Sequence, residues 1–393
     1  MHYNFDAIIP RNGTHSVKWE FIPPVDGRPG TDLLPLWVAD MDFPCAEPIL
    51  EALHKRVDRK IFGYSNARSE GYLNAVQAWF KTRYQWHFDL EDIHLSPGVV
   101  PAVAILIKSL TRPGDGIIIQ KPVYYPFMLL IENNDRRIIN NSLHENDGYY
   151  TMDFADLEEK ARQPDTTLMI LCSPHNPVGR VWKENELRRL AEICLQNDVT
   201  IVSDEIHCDL IRENSIHIPL GKIISDERII TCTSASKSFN LAGLQTSNII
   251  ISSEKIRQQW KAEIINKSGL FGTNPMGIVA TEAAYTKGAS WLDQVNRYIN
   301  GNFEYVRKFL AEHLDKARYL IPEGTYFAWI DFRAYGFSAK QLEKMVQQQA
   351  GVFLDEGYIF GDEGAGFERI NVACPRSILQ ECMVRIKDVI ITG

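Results

Sequence analysis

A chain of 393 residues with 45% hydrophobic and 23% charged residues can bury one large core and a smaller second one. Its formal net charge of -8 argues against nucleic acid as a partner, because phosphates demand a basic face. Seven cysteines without a C-x-x-C pair are expected to be reduced thiols of a cytoplasmic protein, and neither a signal segment nor an apolar run of membrane-spanning length is evident.

Residues 1–45 are rich in Pro, Gly and Asp and read as an arm that joins a smaller C-terminal domain; only residues 36–44 alternate like a short strand. Ile49, Leu50, Leu53 and Val57 fall at helical spacing, as do Leu73, Val76, Trp79 and Phe80, with an exposed loop of Phe62, Gly63 and Tyr64 between them. The rhythm then becomes strand, helix, strand. A turn at Ser96-Pro97-Gly98 leads into a helix from Pro101 to Leu110, and apolar strands follow at 117–119, 137–142, 167–172, 199–203, 228–232 and 248–251. Leu187, Leu190, Ala191 and Cys194 mark an amphipathic helix between two of them.

Continuous apolar strands alternating with helices predict an α/β large domain over residues 46–287: a mostly parallel sheet covered by helices on both faces, with ligands at the carboxyl ends of its strands. Beyond residue 287 the pattern changes to a long helix through Val295, Ile299, Phe303, Val306, Leu310 and Leu314. Strands at 319–321, 326–332 and 368–372 and helices at 339–349 and 378–390 complete a smaller α+β domain over residues 288–393.

Four strand-end segments carry candidate chemistry. Lys237 follows an apolar run and lies between Ser236 and Ser238 ahead of a helix-like pattern, which suits a partly desolvated amine that attacks a carbonyl. A solvated lysine behind a Ser cap has the same appearance. Asn176 stands in a proline-fixed turn, which is also ordinary turn chemistry. Asp204 and Ile206 share one face by period-two alternation, so an acid and an aliphatic group could hold the edge and face of one flat ring. An acidic loop and a metal site are the alternatives for that segment, but Asp204, Glu205, His207 and Cys208 match no standard metal spacing, and no metal is expected. Gly98, Val99 and Val100 enter a helix whose free N–H groups suit a phosphate or plain capping. Gly361, Gly364 and Gly366 imitate a dinucleotide fingerprint, but a strand rather than a helix follows them.

Asn176-Pro177-x-Gly179, then Ser203-Asp204-Glu205-Ile206-His207, then Ser234-x-Ser236-Lys237-x-Phe239-Asn240-x-Ala242-Gly243-Leu244 together resemble the fold-type I pyridoxal-phosphate enzymes of the aspartate aminotransferase superfamily, near the cystathionine β-lyase or carbon-sulfur lyase branch. Supporting pieces run almost end to end, including Val38-Ala39-Asp40-Met41-Asp42-Phe43, Phe62-Gly63-Tyr64, Pro122-Val123-Tyr124 and Arg369-Ile370-Asn371. The resemblance implies a seven-stranded, mostly parallel sheet and pyridoxal 5'-phosphate in a Schiff base with Lys237, which would also shuttle the α-proton. It implies that Asp204 pairs with the ring nitrogen and Asn176 with the ring oxygen, and that Tyr124 and Ile206 cover the two ring faces. Val99, Val100 and Ser234 would donate to the phosphate, and Tyr64 would reach the phosphate of a neighbouring subunit in a homodimer with shared sites. Arg369 would grip the substrate carboxylate. Many aminotransferases of the superfamily carry an arginine eight residues after the lysine; Gln245 stands there in this chain, which leans toward the lyase branch.

The implied reaction is α,β-elimination of cystathionine or a cysteine S-conjugate to a thiol, pyruvate and ammonia, with Asp40, Met41 and Tyr326 near the thiol side. An aminotransferase is the alternative, since both reactions share the same carbanion. A non-catalytic protein keeping the fold is expected to have lost Lys237, Asp204 or Arg369, and all three are present.

Overall fold

Apolar runs without polar alternation, such as Gly116–Ile119 and Ser247–Ile251, are satisfied only in strands covered on both faces, and every residue of these two is buried. The computed structural model, which describes every residue except Met1, Asp26, Arg28, Ala67, Gly272 and Gly393, places them in a seven-stranded sheet. Its strands are β1 (Ile93–Ser96), β2 (Gly116–Ile119), β3 (Arg137–Asn140), β4 (Thr166–Cys172), β5 (Thr200–Asp204), β6 (Ile229–Thr233) and β7 (Ser247–Ile251), in the spatial order β1-β7-β6-β5-β4-β2-β3. Neighbours from β3 across to β6 pair in parallel, and β7 alone runs against both of its neighbours.

Alternate residues of single strands enter different cores, as a pleated strand requires. Ile117, Ile119, Leu168 and Ile170 pack with Val103 and Leu106 of the helix Val99–Leu110, whereas Ile118, Met169 and Leu171 pack with Leu187 and Leu190 of the helix Glu184–Gln196. Cys172 pairs with Asp204 and Asp204 with Cys232, so β4, β5 and β6 finish nearly level. The loops that follow them therefore open on one edge.

The helices used below are α1 (Glu47–Val57), α2 (Glu70–Tyr84), α3 (Val99–Leu110), α4 (Glu184–Gln196), α5 (Pro275–Lys287), α6 (Ala289–His313) and α7 (Arg376–Thr392). Towards the C-terminus, β8 (Phe327–Asp331), β9 (Asp355–Glu356) and β10 (Phe367–Asn371) form an antiparallel sheet in the order β8-β10-β9. The third core joins α6 and α7 to this sheet, and residues of the N-terminal arm, Phe5, Leu36, Met41 and Phe43, are part of it.

Several local expectations change. Residues 36–44 are not a strand; only Leu34–Pro35 pairs, in parallel with Val352–Phe353, and beyond it burial does not alternate, residues 37–40 being half-buried and residues 41–43 buried. Residues 319–321 are not a strand either: Arg318 bridges Asp331, Leu320 is half exposed, and Pro322 removes the next donor. Helix α3 begins at Val99, two residues before the proline, because a proline within the first helical turn sacrifices no intrahelical bond. The helix from Ala339 widens into a π turn over Met345–Gln349. All seven cysteines are free, and all but Cys45 are buried.

Candidate active site

The level strand ends bring three loops to one cavity of about 190 Å³. From β4 comes Asn176, from the end of β5 come Asp204, Ile206 and His207, and from the loop after β6 come Ser236 and Lys237. Val99 and Val100 at the start of α3, Tyr124, Ala39, Gln245 and Thr246 close the remaining walls.

Each side chain is placed by a local reason. The Ile206 N–H donates to Asp204 Oδ1 at 3.1 Å, a short turn that sets the aliphatic group beside the acid. Ser234 caps the single turn Ala235–Ser238: its oxygen accepts from the Ser236 N–H at 3.0 Å and its hydroxyl donates to the Thr246 carbonyl at 2.7 Å. The Ser234 side chain is thus engaged in capping, and Ser236 is the serine on the cavity wall. Both are serines ahead of the same lysine, and only the turn geometry tells them apart.

Lys237 Nζ donates to the Ala39 carbonyl at 2.6 Å, and the Tyr326 hydroxyl donates to the same oxygen at 2.8 Å. Burial pushes the Lys237 amine down to about 8, against the attraction of Asp40; Arg369 adds to the fall and Asp204 opposes it. Burial also pushes the Asp204 carboxyl up to about 7, opposed by the Ile206 N–H and by Lys237. Asp204 makes no ion pair among the described residues. His207, buried with its Nδ1 unpartnered, is pushed well below its ordinary value and stays neutral.

Arg369 on β10 reaches the cavity edge through Asn176. Its Nη1 donates to Asn176 Oδ1 at 2.9 Å, its Nη2 donates to the Trp37 carbonyl at 3.0 Å and pairs with Asp355, and its guanidinium lies 4.0 Å from the Phe327 ring centroid. Since Asn176 Oδ1 is taken by Arg369, its Nδ2 is the end left for a ligand oxygen. Tyr64 lies apart from this group and is fully exposed on its loop. The sequence reasoning missed Ser236 and Thr246 as wall residues; hydroxyls flanking Lys237 and Gln245 were the available signal.

An amine that is half neutral near pH 8, a buried carboxylate without a cation, free helix-start donors and an arginine one residue away form a site for a small anionic carbonyl compound. The chain belongs to the aminotransferase class I and II family, whose model matches residues 31–386. It is 43% identical to cystathionine beta-lyase PatB of Bacillus subtilis (strain 168) over 98% of this chain and 99% of that protein. Its fold superposes on cystalysin of Treponema denticola, a structure containing pyridoxal 5'-phosphate, with a TM-score of 0.96 and 40% identity over the whole of both chains. The pyridoxal-phosphate-bound C-S lyase of Staphylococcus hominis gives a TM-score of 0.92 and 37% identity over 100% of this chain and 99% of that one.

Proposed function

We propose that this chain is a pyridoxal-phosphate-dependent carbon-sulfur lyase that eliminates the β-sulfur substituent of an L-amino acid such as cystathionine, yielding a thiol, pyruvate and ammonia. The observation that carries the reaction type is near full-length similarity, 43% over 386 residues, to a cystathionine beta-lyase. The cavity fits the cofactor on its own chemistry. Asp204 is a buried acid lacking a cation, which a ring nitrogen would supply, and the uncapped N–H groups at Val99 and Val100 suit a phosphate.

When bound, pyridoxal phosphate supplies an electron sink for the pair released as the substrate Cα–H bond breaks. Lys237 would hold the cofactor covalently and would take the proton from the substrate Cα; its lowered pKa keeps a neutral amine available for that transfer. Asp204 would pair with the ring nitrogen, Asn176 Nδ2 would donate to the ring oxygen, and Tyr124 and Ile206 would cover the ring. The Val99 and Val100 N–H groups and the Ser236 hydroxyl would donate to the phosphate, whereas Ser234, expected to do so, spends its hydroxyl on the Thr246 carbonyl. Arg369 turns its guanidinium to the substrate carboxylate, its plane held by Phe327 and Asn176. The sulfur substituent would leave Cβ as thiolate with one water consumed to give pyruvate and ammonia, and Gln245 lines the wall without adding a charge.

Residues 1–45 serve as an arm, 46–287 as the cofactor-binding domain and 288–393 as the small domain. The protein works in the cytoplasm as a homodimer in which Tyr64 of each chain completes the other's phosphate site. Pyruvate formation from cystathionine without added keto acid tests the reading. Product that appears only when a keto acid is supplied would instead identify an aminotransferase.

A further inference from the structure

The segment that supports Lys237 is itself held by charges from the N-terminal arm. Ala39, whose carbonyl accepts from Lys237 Nζ, is followed by Asp40, and the Asp40 carboxylate is gripped by Arg11: Nη2 to Oδ2 at 2.7 Å and Nη1 to Oδ1 at 3.0 Å. Arg11 Nη1 also reaches Asp42 Oδ1 at 3.0 Å. Lys18, fully buried, pairs with Asp42 at 2.6 Å and stands 3.8 Å from Asp40, while the Trp19 indole N–H donates to Asp42 at 2.9 Å. Two cations thus face two acids, and the group is neutral as a whole.

The Lys237 amine is faced by Asp40 from this segment, Asp204 from β5, Arg369 from β10, the neutral His207, and the hydroxyls of Tyr124 and Tyr326. Asp40 exerts the largest of the charge effects on the amine. Its partner Arg11 comes from a stretch that lines no wall of the cavity.

We infer that Arg11, assisted by Lys18, is a positioning residue for the chemistry of Lys237: it neutralises Asp40 and so keeps that carboxylate from holding a proton on the lysine nitrogen. This rests on Lys237 being the cofactor-bonding lysine. An uncompensated charge beside the carbonyl that Lys237 touches is worth on the order of one pH unit at an effective dielectric of about 20, and less where water screens it. Arg11 and Asp40 have side chains 23% and 18% exposed, so part of that effect survives screening.

The test is the pH midpoint of the visible absorbance of the cofactor-loaded protein, which follows protonation of the lysine nitrogen. Arg11→Gln should move the midpoint up by about half a unit or more, Asp40→Asn should move it down, and Arg11→Lys should restore the wild-type value. With Asp40→Asn already present, Arg11→Gln should shift the midpoint by less than half as much. Mere loosening of the arm would lower the melting temperature in both variants without opposite midpoint shifts. An unchanged or lowered midpoint in Arg11→Gln, or the same shift with and without Asp40, overturns the inference. A pH-dependent band that persists in Lys237→Ala overturns the assignment of Lys237 instead.

Discussion

At Asp204 the pH dependence of the cofactor-free fold can be worked out in sign. The folded carboxyl titrates near 7, above its ordinary value, because it is buried, so the folded state holds a proton that the unfolded chain releases at lower pH. The stabilisation is therefore complete in acid and lost as pH rises through about 7, on the order of 4 kcal/mol in all. A cation at the ring nitrogen would remove that loss. The gap in melting temperature between loaded and cofactor-free protein should accordingly widen from pH 5.5 to pH 8, and widen less in Asp204→Asn. Calorimetry at the two pH values checks this, and an equal widening in the variant would assign the effect elsewhere, for instance to the Lys237 amine.

Helix α5 meets the active-site loop with almost no space between them. A Cβ added at Gly277 would come within 2.0 Å of Thr246 Oγ1 and 2.5 Å of the Leu244 carbonyl, while Asn274 fastens the helix start by accepting from the Gly277 N–H and donating to that same carbonyl. Gly277→Ala should push the 244–246 loop off the cavity, at a cost of about 1–3 kcal/mol, and weaken cofactor retention on dialysis. A variant with wild-type melting temperature and retention would show that the loop yields freely. Such contacts lie beyond the reach of sequence reading, whereas the sheet was legible: runs such as Ile117-Ile118-Ile119 have only one good solution. Lys237, Asp204 and Asn176, which line one cavity, stood out in the sequence because each lies at or within four residues of the end of an apolar strand. The start of α3 was misplaced because a proline in its first turn looks the same at the first and third positions. The arm read as irregular because Arg11 and Lys18 find their partners through tertiary structure, where local pattern carries no signal.

Across the whole molecule, the loop of Tyr64 carries its apolar groups outward. Ile61, Phe62 and Tyr64 are exposed, as is Phe271 on another loop, although Arg56 lies over the Phe62 ring. A homodimer that buries them should sediment as two chains, and Tyr64→Ala should weaken cofactor binding while leaving the sedimentation of the loaded protein unchanged. A single-chain species at micromolar concentration would remove the shared-site reading. The short segment from Trp37 to Asp42 has a different consequence. It offers the Trp37 carbonyl to Arg369, Val38 and Asp40 to Asn371, Ala39 to Lys237 and Tyr326, and Met41 to Asn240, partners 198 to 333 residues away. Contacts of such sequence separation form late, because the intervening chain must already be ordered. The holder of the lysine is therefore the part of the site that carries the greatest loop-closure cost, and competence to take up the cofactor should mark a chain whose two ends have met.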